Sequence, residues 1–284
     1  MYRTVAASVS GLFDYAGLFP PAALSMADAA EEYRKWWDEP LTAAFVCPSD
    51  RLAELSACLG SEDTLPVAVL LADPAQAFEI PPGLQVVSLE TKAASPAGMK
   101  ALARLAARLA DEGHEPAPFV EVPLDSGLSD ALTALAEADL GAKVRLGGMM
   151  PAAFPKADDV AAFIVEAVDL RLEVKLTAGL HHPVTGRQPI SAKEPSLGTA
   201  RMFGFLNCVL AFAAAESLEA SRSLVARVLE TPADAMRWSE DMVEVCGEAI
   251  SVEALGDARE ALASIGSCSI HEPVADLTTM GLWP

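Results

Sequence analysis

A chain of 284 residues, 52% of them hydrophobic, is long enough for one large domain with a substantial core. Its formal net charge of −20 sets an anionic surface that repels nucleic acid and anionic lipid, so neither is expected as a partner. Five cysteines without C-x-x-C spacing argue against a disulfide framework or a structural zinc site, and fit thiols in a reducing cytoplasm.

The N-terminus, MYRTVAASVSGLFDYAG, has no apolar run followed by a cleavage site, so no secretion signal is expected. Residues 1–40 are read as a cover segment plus an extra helix over 25–37. Within them GLFDYAGLFPPA (11–22) offers Asp14 and Tyr15 as candidate substrate contacts. It either plugs the floor of the fold or flaps over its mouth, and the pattern leaves both open. From there β-rich runs alternate with helical periodicity. Strands are expected at 42–46, 67–71, 85–89, 118–122, 142–146, 172–176, 223–229 and 266–270. Helices are expected at 49–59, 96–112, 128–138, 157–168, 202–217 and 252–264. The 223–229 run also carries a helical period, and 242–250 reads as a further short strand. The apolar run 202–215, interrupted by Asn207, is too short to span a bilayer and permits either a buried helix or a homo-oligomer contact.

Strands separated by helices imply parallel pairing, and eight of them fit a (β/α)8 TIM-type barrel with an N-terminal extension, as a single domain over 1–284. An open doubly wound sheet is the alternative. Covered on its outer face, a parallel barrel must aim any charged strand face inward. In AKVRL, Lys143 and Arg145 share one face; in LEVKLT, Glu173, Lys175 and Thr177 do; in PFVEV, Glu121 stands opposite Val120 and Val122. Glu121, Arg145 and Lys175 fall near carboxyl ends of strands, and Glu230 and His271 just after the last two, at the rim where barrel chemistry is done. Structural ion pairing would also account for these charges.

The stretch VKLTAGLHHP (174–183) places Lys175 in the lumen and His181 and His182 on the loop that follows. That loop continues through VTGRQPISAKEPSLGT and is long enough for a lid. Gly147 and Gly148 after Arg145 could present backbone N–H groups to an oxyanion, and 196–199 precedes a helix expected to start near Arg201, a helix N-terminus beside a cation that could hold an anion; either could also be an ordinary turn or cap.

FDYAGLFPPA (13–22), KVRLGG (143–148), KLTAGLHHP (175–183), GFLN (204–207) and GSCSIHEPVADL (266–277) resemble segments of an uncharacterised bacterial protein family of no established activity. KLTAG is also similar to the strand-six lysine segment of deoxyribose-phosphate aldolases, Schiff-base enzymes with a (β/α)8 fold. That resemblance implies an imine-forming role for Lys175.

The expectation is therefore a cytoplasmic enzyme, lyase- or aldolase-like, acting on a small anionic metabolite. Lys175 would form a Schiff base or stabilise an enolate, its pKa lowered by burial beside Arg145 and Lys143. Glu121, His181 or His182 would move protons, with Arg145, Lys143, Gly147, Gly148, Thr177, Asp14, Tyr15 and His271 around the substrate. No cofactor is required. A divalent metal held by Glu121, His181 and a further carboxylate, for hydrolysis or isomerisation, is the alternative, and a non-catalytic metabolite-binding barrel is the third reading.

Overall fold

In the computed structural model, which describes all residues except 61–62, 77, 93–94 and 192–193, eight parallel strands close into a barrel. They are β1 (Phe13–Tyr15), β2 (Thr42–Pro48), β3 (Leu65–Leu71), β4 (Leu84–Thr91), β5 (Ala117–Glu121), β6 (Gly141–Arg145), β7 (Val174–Thr177) and β8 (Leu262–Ser267). Neighbours in sequence are neighbours in the barrel, and β8 closes on β1 through Phe13↔Ile265 to Tyr15↔Ser267. Helices α1 (Arg3–Val9), α2 (Met26–Arg34), α3 (Leu52–Ser56), α4 (Pro96–Asp111), α5 (Leu128–Glu137), α6 (Ala157–Asp169), α7 (Phe205–Ser217), α8 (Arg222–Leu229), α9 (Val252–Ala261) and α10 (His271–Thr279) surround or flank it. The TIM-type architecture is thus observed. No helix among the described residues is long and apolar enough to cross a membrane.

Two strands differ from expectation. The first is β1, inside the segment read as a cover: Leu12 enters from the strand's amino end, Phe13–Tyr15 pair on both sides, and residues from Ala16 onward emerge at the mouth. The second is 223–229, which is α8. Ser221 caps it by accepting from Leu224 N, and Val225, Val228 and Leu229 are buried while Arg222, Ser223 and Arg227 face solvent. That is the i, i+3, i+4 stripe of a helix packed on one side. The eighth strand also starts earlier than expected, at Leu262 and not 266. Lys175 consequently lies on the seventh strand, and the inward lysine of the sixth strand is Lys143.

The β7–β8 connection is long. A hairpin pairs Gly186–Pro189 with Thr199–Met202, α7 and α8 follow, and a three-stranded antiparallel sheet ends at Ser251 before α9. No helix starts near Arg201, so 196–199 is not a helix cap; those residues lead into the hairpin's second strand, and Arg201 pairs with Glu230 at the end of α8. The lid expected over this loop includes 192–193, which lie outside the described residues. Every residue from Phe205 to Ala215 is buried, so the apolar run is an interior helix and offers no oligomer surface. Asn207 is fully satisfied there: its Oδ1 accepts from Thr185 N at 2.9 Å, and its Nδ2 donates to Val228 O and Thr231 O at 2.8 and 2.9 Å. This fixes the chain just beyond β7 to the end of α8, at a position where an unpaired amide would cost 1–3 kcal/mol (roughly).

Candidate functional site

Alternation aims one side chain in two at the barrel axis. On β2 and β3 these are small or apolar, with Ala44, Val46 and Ala68 forming one buried cluster alongside Leu70. On the opposite side and on β1 they are ionic: Asp14 from β1, Glu90 from β4, Lys143 from β6 and Lys175 from β7, all buried. Two cations face two anions, so the lumen is neutral although the chain carries −20.

Lys175 is the hub. Its Nζ lies 2.7 Å from Asp14 Oδ2 and donates to Glu90 Oε1 and Ser88 Oγ at 2.8 Å each, with the Phe119 ring centroid 5.1 Å away. An ammonium has three protons, and here all three are taken. Asp14 also accepts from the Ser264 hydroxyl at the same Oδ2 (2.6 Å) and from Ala44 N at Oδ1 (3.1 Å). Lys143 donates to Glu90 Oε2 at 2.5 Å, and among the described residues that carboxylate is its sole ionic or hydrogen-bonding partner at the ammonium. Two of its donors therefore remain for something above it.

The lysine chemistry inferred from sequence changes accordingly. Burial disfavours the charged form of Lys175, but the carboxylates of Asp14 and Glu90 outweigh it and raise the ammonium above its ordinary value. The neighbours that count are acidic, not Arg145 and Lys143, so the lowered pKa assumed for imine formation is not found at this residue. Burial likewise works against the Glu90 carboxylate, and Lys175 and Lys143 hold it down at about 2.

Above this network is a cavity of about 250 Å³, sized for a small metabolite. Lys175, Lys143, Glu90 and Asp14 floor it; Phe19, Pro20, Pro21, Val46 and Leu70 make an apolar wall; Ile190 and Met202 come from the hairpin. Arg145, one turn of the pleat beyond Lys143 on β6, lines it too, and so do Thr177, Gly148, His181 and Cys268. The structure therefore brings together Lys175, Lys143, Arg145, Asp14, Thr177, Gly148 and His181 of the residues expected from sequence.

Five others do not line this cavity. Glu121 pairs with Lys92 at 3.5 Å and lines an adjoining cleft that shares Glu90, Lys143 and Arg145 with the cavity. His182 turns away from its neighbour and bonds Asp276 Oδ2 through Nδ1 at 2.6 Å. His271 is exposed at the start of α10 with its ring 6.1 Å from that of Trp36. Tyr15 has the parity opposite to Asp14 and packs outward against Tyr33 and Phe45, its hydroxyl raised in pKa by burial. Gly147 is a packing glycine: a Cβ there would lie 2.8 Å from Gly179 Cα and 2.8 Å from the Phe154 ring. Gly147→Ala should push the ends of β6 and β7 apart and cost about 1–3 kcal/mol in urea unfolding. Glu173, expected on the inward face with Lys175, is exposed before β7 begins, and the carboxylate that pairs with Lys143 is Glu90.

His181 is placed differently from His182. Its Nδ1 is 3.5 Å from Glu272 Oε2 and 3.9 Å from Cys268 Sγ. Burial opposes its charge, but contacts to Cys268 and Glu272 outweigh this and push the imidazole up to about 10. Glu121 and His181 line different clefts, and no group of three His, Cys, Asp or Glu among the described residues is placed to hold a metal ion. The expected metal alternative thus gains no ligand set.

Comparison of the chain with protein-family models, curated proteins and solved structures yields no match in any of the three.

Proposed function

We propose that this barrel is an enzyme that polarises the carbonyl group of a small carboxylate- or phosphate-bearing substrate, in carbon–carbon lyase or aldolase-like chemistry passing through an enolate. The observation that carries this reading is the asymmetry between two lysines sharing Glu90: Lys175 is saturated and, among the described residues, Lys143 has donors left, at the floor of a small cavity. Lys143 then meets the substrate oxygen, and Lys175 with Asp14 and Glu90 fixes where Lys143 points. Charge developing on an oxygen in a water-poor site is stabilised most by a donor already in position. Arg145, a two-residue step further out on the same strand face, suits the anionic end of a substrate whose carbonyl reaches Lys143. The imine version of the resemblance moves with this assignment from Lys175 to Lys143.

The test is proton exchange. Incubation in deuterated buffer with 2-oxoacids and phosphorylated hydroxyketones of roughly three to six carbons should wash deuterium into the carbon next to the carbonyl of at least one compound, followed by NMR. Borohydride added to the same mixture separates an imine, trapped on Lys143, from a free enolate. Exchange with no compound, accompanied by ligand-dependent thermal stabilisation, would instead favour the metabolite-binding reading. Arg145→Leu is expected to raise KM for the responding compound about tenfold or more with kcat changed little, since it removes binding made equally in ground and transition states.

A further inference from the structure

An enolate needs a group on the carbon side of the substrate as well as a donor on the oxygen side. Of the proton carriers expected from sequence, His182 is bonded to Asp276 and Glu121 is paired with Lys92 in the adjoining cleft; Cys268 and His181 line the cavity itself. We propose that Cys268, activated by His181 and Glu272, is a reactive thiol of this pocket and the base that removes the proton next to the substrate carbonyl. This rests on the carbonyl reading for its role, though not for the thiol's reactivity.

Geometry carries it. One nitrogen, His181 Nδ1, is approached by both the Glu272 carboxylate (3.5 Å) and the Cys268 sulfur (3.9 Å). The carboxylate against Nδ1 favours a proton on that nitrogen, since a bare lone pair would repel it, and the sulfur is then a second group facing the same N–H. A ring N–H shared between a carboxylate and a sulfur turns positive potential on that sulfur, the environment that makes a cysteine reactive. The residue also stands three positions before the start of α10, whose amino end adds a positive potential.

The surroundings otherwise oppose a negative sulfur. From α2, Asp28, Glu31 and Glu32 line the groove on the far side of Cys268, offset among the described residues by Lys35, and Tyr15 borders the same groove. From α10 the nearby ionisable groups are His271, Glu272 and Asp276, and Asp276 is occupied by His182. His181 is thus the group on which activation of Cys268 depends.

In the step proposed, the C–H bond adjacent to the carbonyl breaks and its proton passes to the Cys268 sulfur. The bonding pair forms the carbon–carbon double bond, and the carbonyl π pair moves to oxygen, where Lys143 donates. No oxidant or reductant enters, and the reverse transfer regenerates the thiolate.

The other partly exposed cysteines serve as internal controls. Cys58 donates to the Glu54 carbonyl and Cys246 contacts the Thr231 hydroxyl, and among the described residues neither has a cation on its sulfur. Iodoacetamide applied to the native protein at pH 6 and 7, with peptide mass spectrometry, should alkylate Cys268 at least tenfold faster than Cys58 and Cys246, with the wider ratio at pH 6. His181→Gln should remove most of that excess. Equal rates at the three cysteines, or an excess unaffected by His181→Gln, would overturn the activated thiol. Cys268→Ser should slow deuterium exchange at least 100-fold while the responding compound still raises the melting temperature. Exchange within threefold of wild type would overturn the proton-transfer role. Absence of exchange in the wild-type protein would overturn the carbonyl reading and this role together, and alkylation alone would then decide whether Cys268 is activated.

Discussion

Lys175→Met is expected to cost the folded state about 3–5 kcal/mol at pH 7, the range for removing one partner of a buried ion pair. In a chain of this size that is a fall of roughly 5–10 °C in Tm. Methionine fills nearly the same volume, so the loss is not a cavity effect. What remains is Asp14 and Glu90 facing each other in a dry lumen with their common cation removed. The pH dependence identifies the cause. In the wild-type protein Glu90 is depressed from 4.5 to about 2, so its contribution is present above 4.5 and lost as pH falls through about 2. Lys175 is raised, so its contribution is present below the ordinary lysine value of 10.5 and lost only as pH rises through the higher folded value. Between those limits the wild-type ion network should contribute no slope. In Lys175→Met the carboxyls lose a cation and are buried, which favours their neutral forms. Its deficit should therefore shrink as pH is lowered from 7 toward 4. Adding Asp14→Asn should recover part of the loss at pH 7, because it removes an anion left without its cation. Urea unfolding across that pH range measures all of this; a deficit below about 1 kcal/mol, or one without pH dependence, would mean the network is hydrated and not buried.

How much of this was legible in the sequence depends on strand length. Parity worked where two polar residues of one face fell inside the observed strand: Lys143 with Arg145 on β6, and Lys175 with Thr177 on β7, all line the cavity, whereas Glu173, ahead of β7, does not. It failed at β1, which has three residues in a stretch dominated by aromatics and glycine, too short for a period to register. Asp14 was singled out but could not be placed. Glu90 was missed by one residue. The run was read as ending at Leu89, whereas β4 continues to Thr91, and Ser88 and Glu90 then show the same polar alternation that marked β6 and β7.

Other features had no local signal. Nothing in the sequence near Cys268 says that His181, 87 positions earlier, lies against it, because closure of β8 beside β7 brings them together. The error in the lysine's chemistry has the same origin. Sequence neighbours suggested cations around Lys175, while its true partners come from β1 and β4 across the lumen. Long-range anions decided the sign of the shift.

That correction separates the two lysines by experiment. Lys143→Met should lower kcat by about 10²–10³-fold, the usual consequence of losing one fixed donor to a developing oxyanion, and abolish turnover altogether should the chemistry pass through an imine. Its effect on stability should be smaller than that of Lys175→Met, because Glu90 keeps Lys175 as counterion and Lys143 is nearer the cavity surface. Lys143→Arg retains charge at the position, but its planar guanidinium presents donors in a different geometry and cannot form an imine, so activity should stay low while stability is largely restored. Lys175 responds in the opposite sense, with a large loss of stability and an activity loss that follows from misplacement of Lys143. Rate and denaturation curves for the three variants, taken together, test this division. Full activity in Lys143→Met would return the chemistry to Lys175 and require that one of its three hydrogen bonds open when substrate enters, because an ammonium with every proton engaged has nothing to give an incoming oxygen.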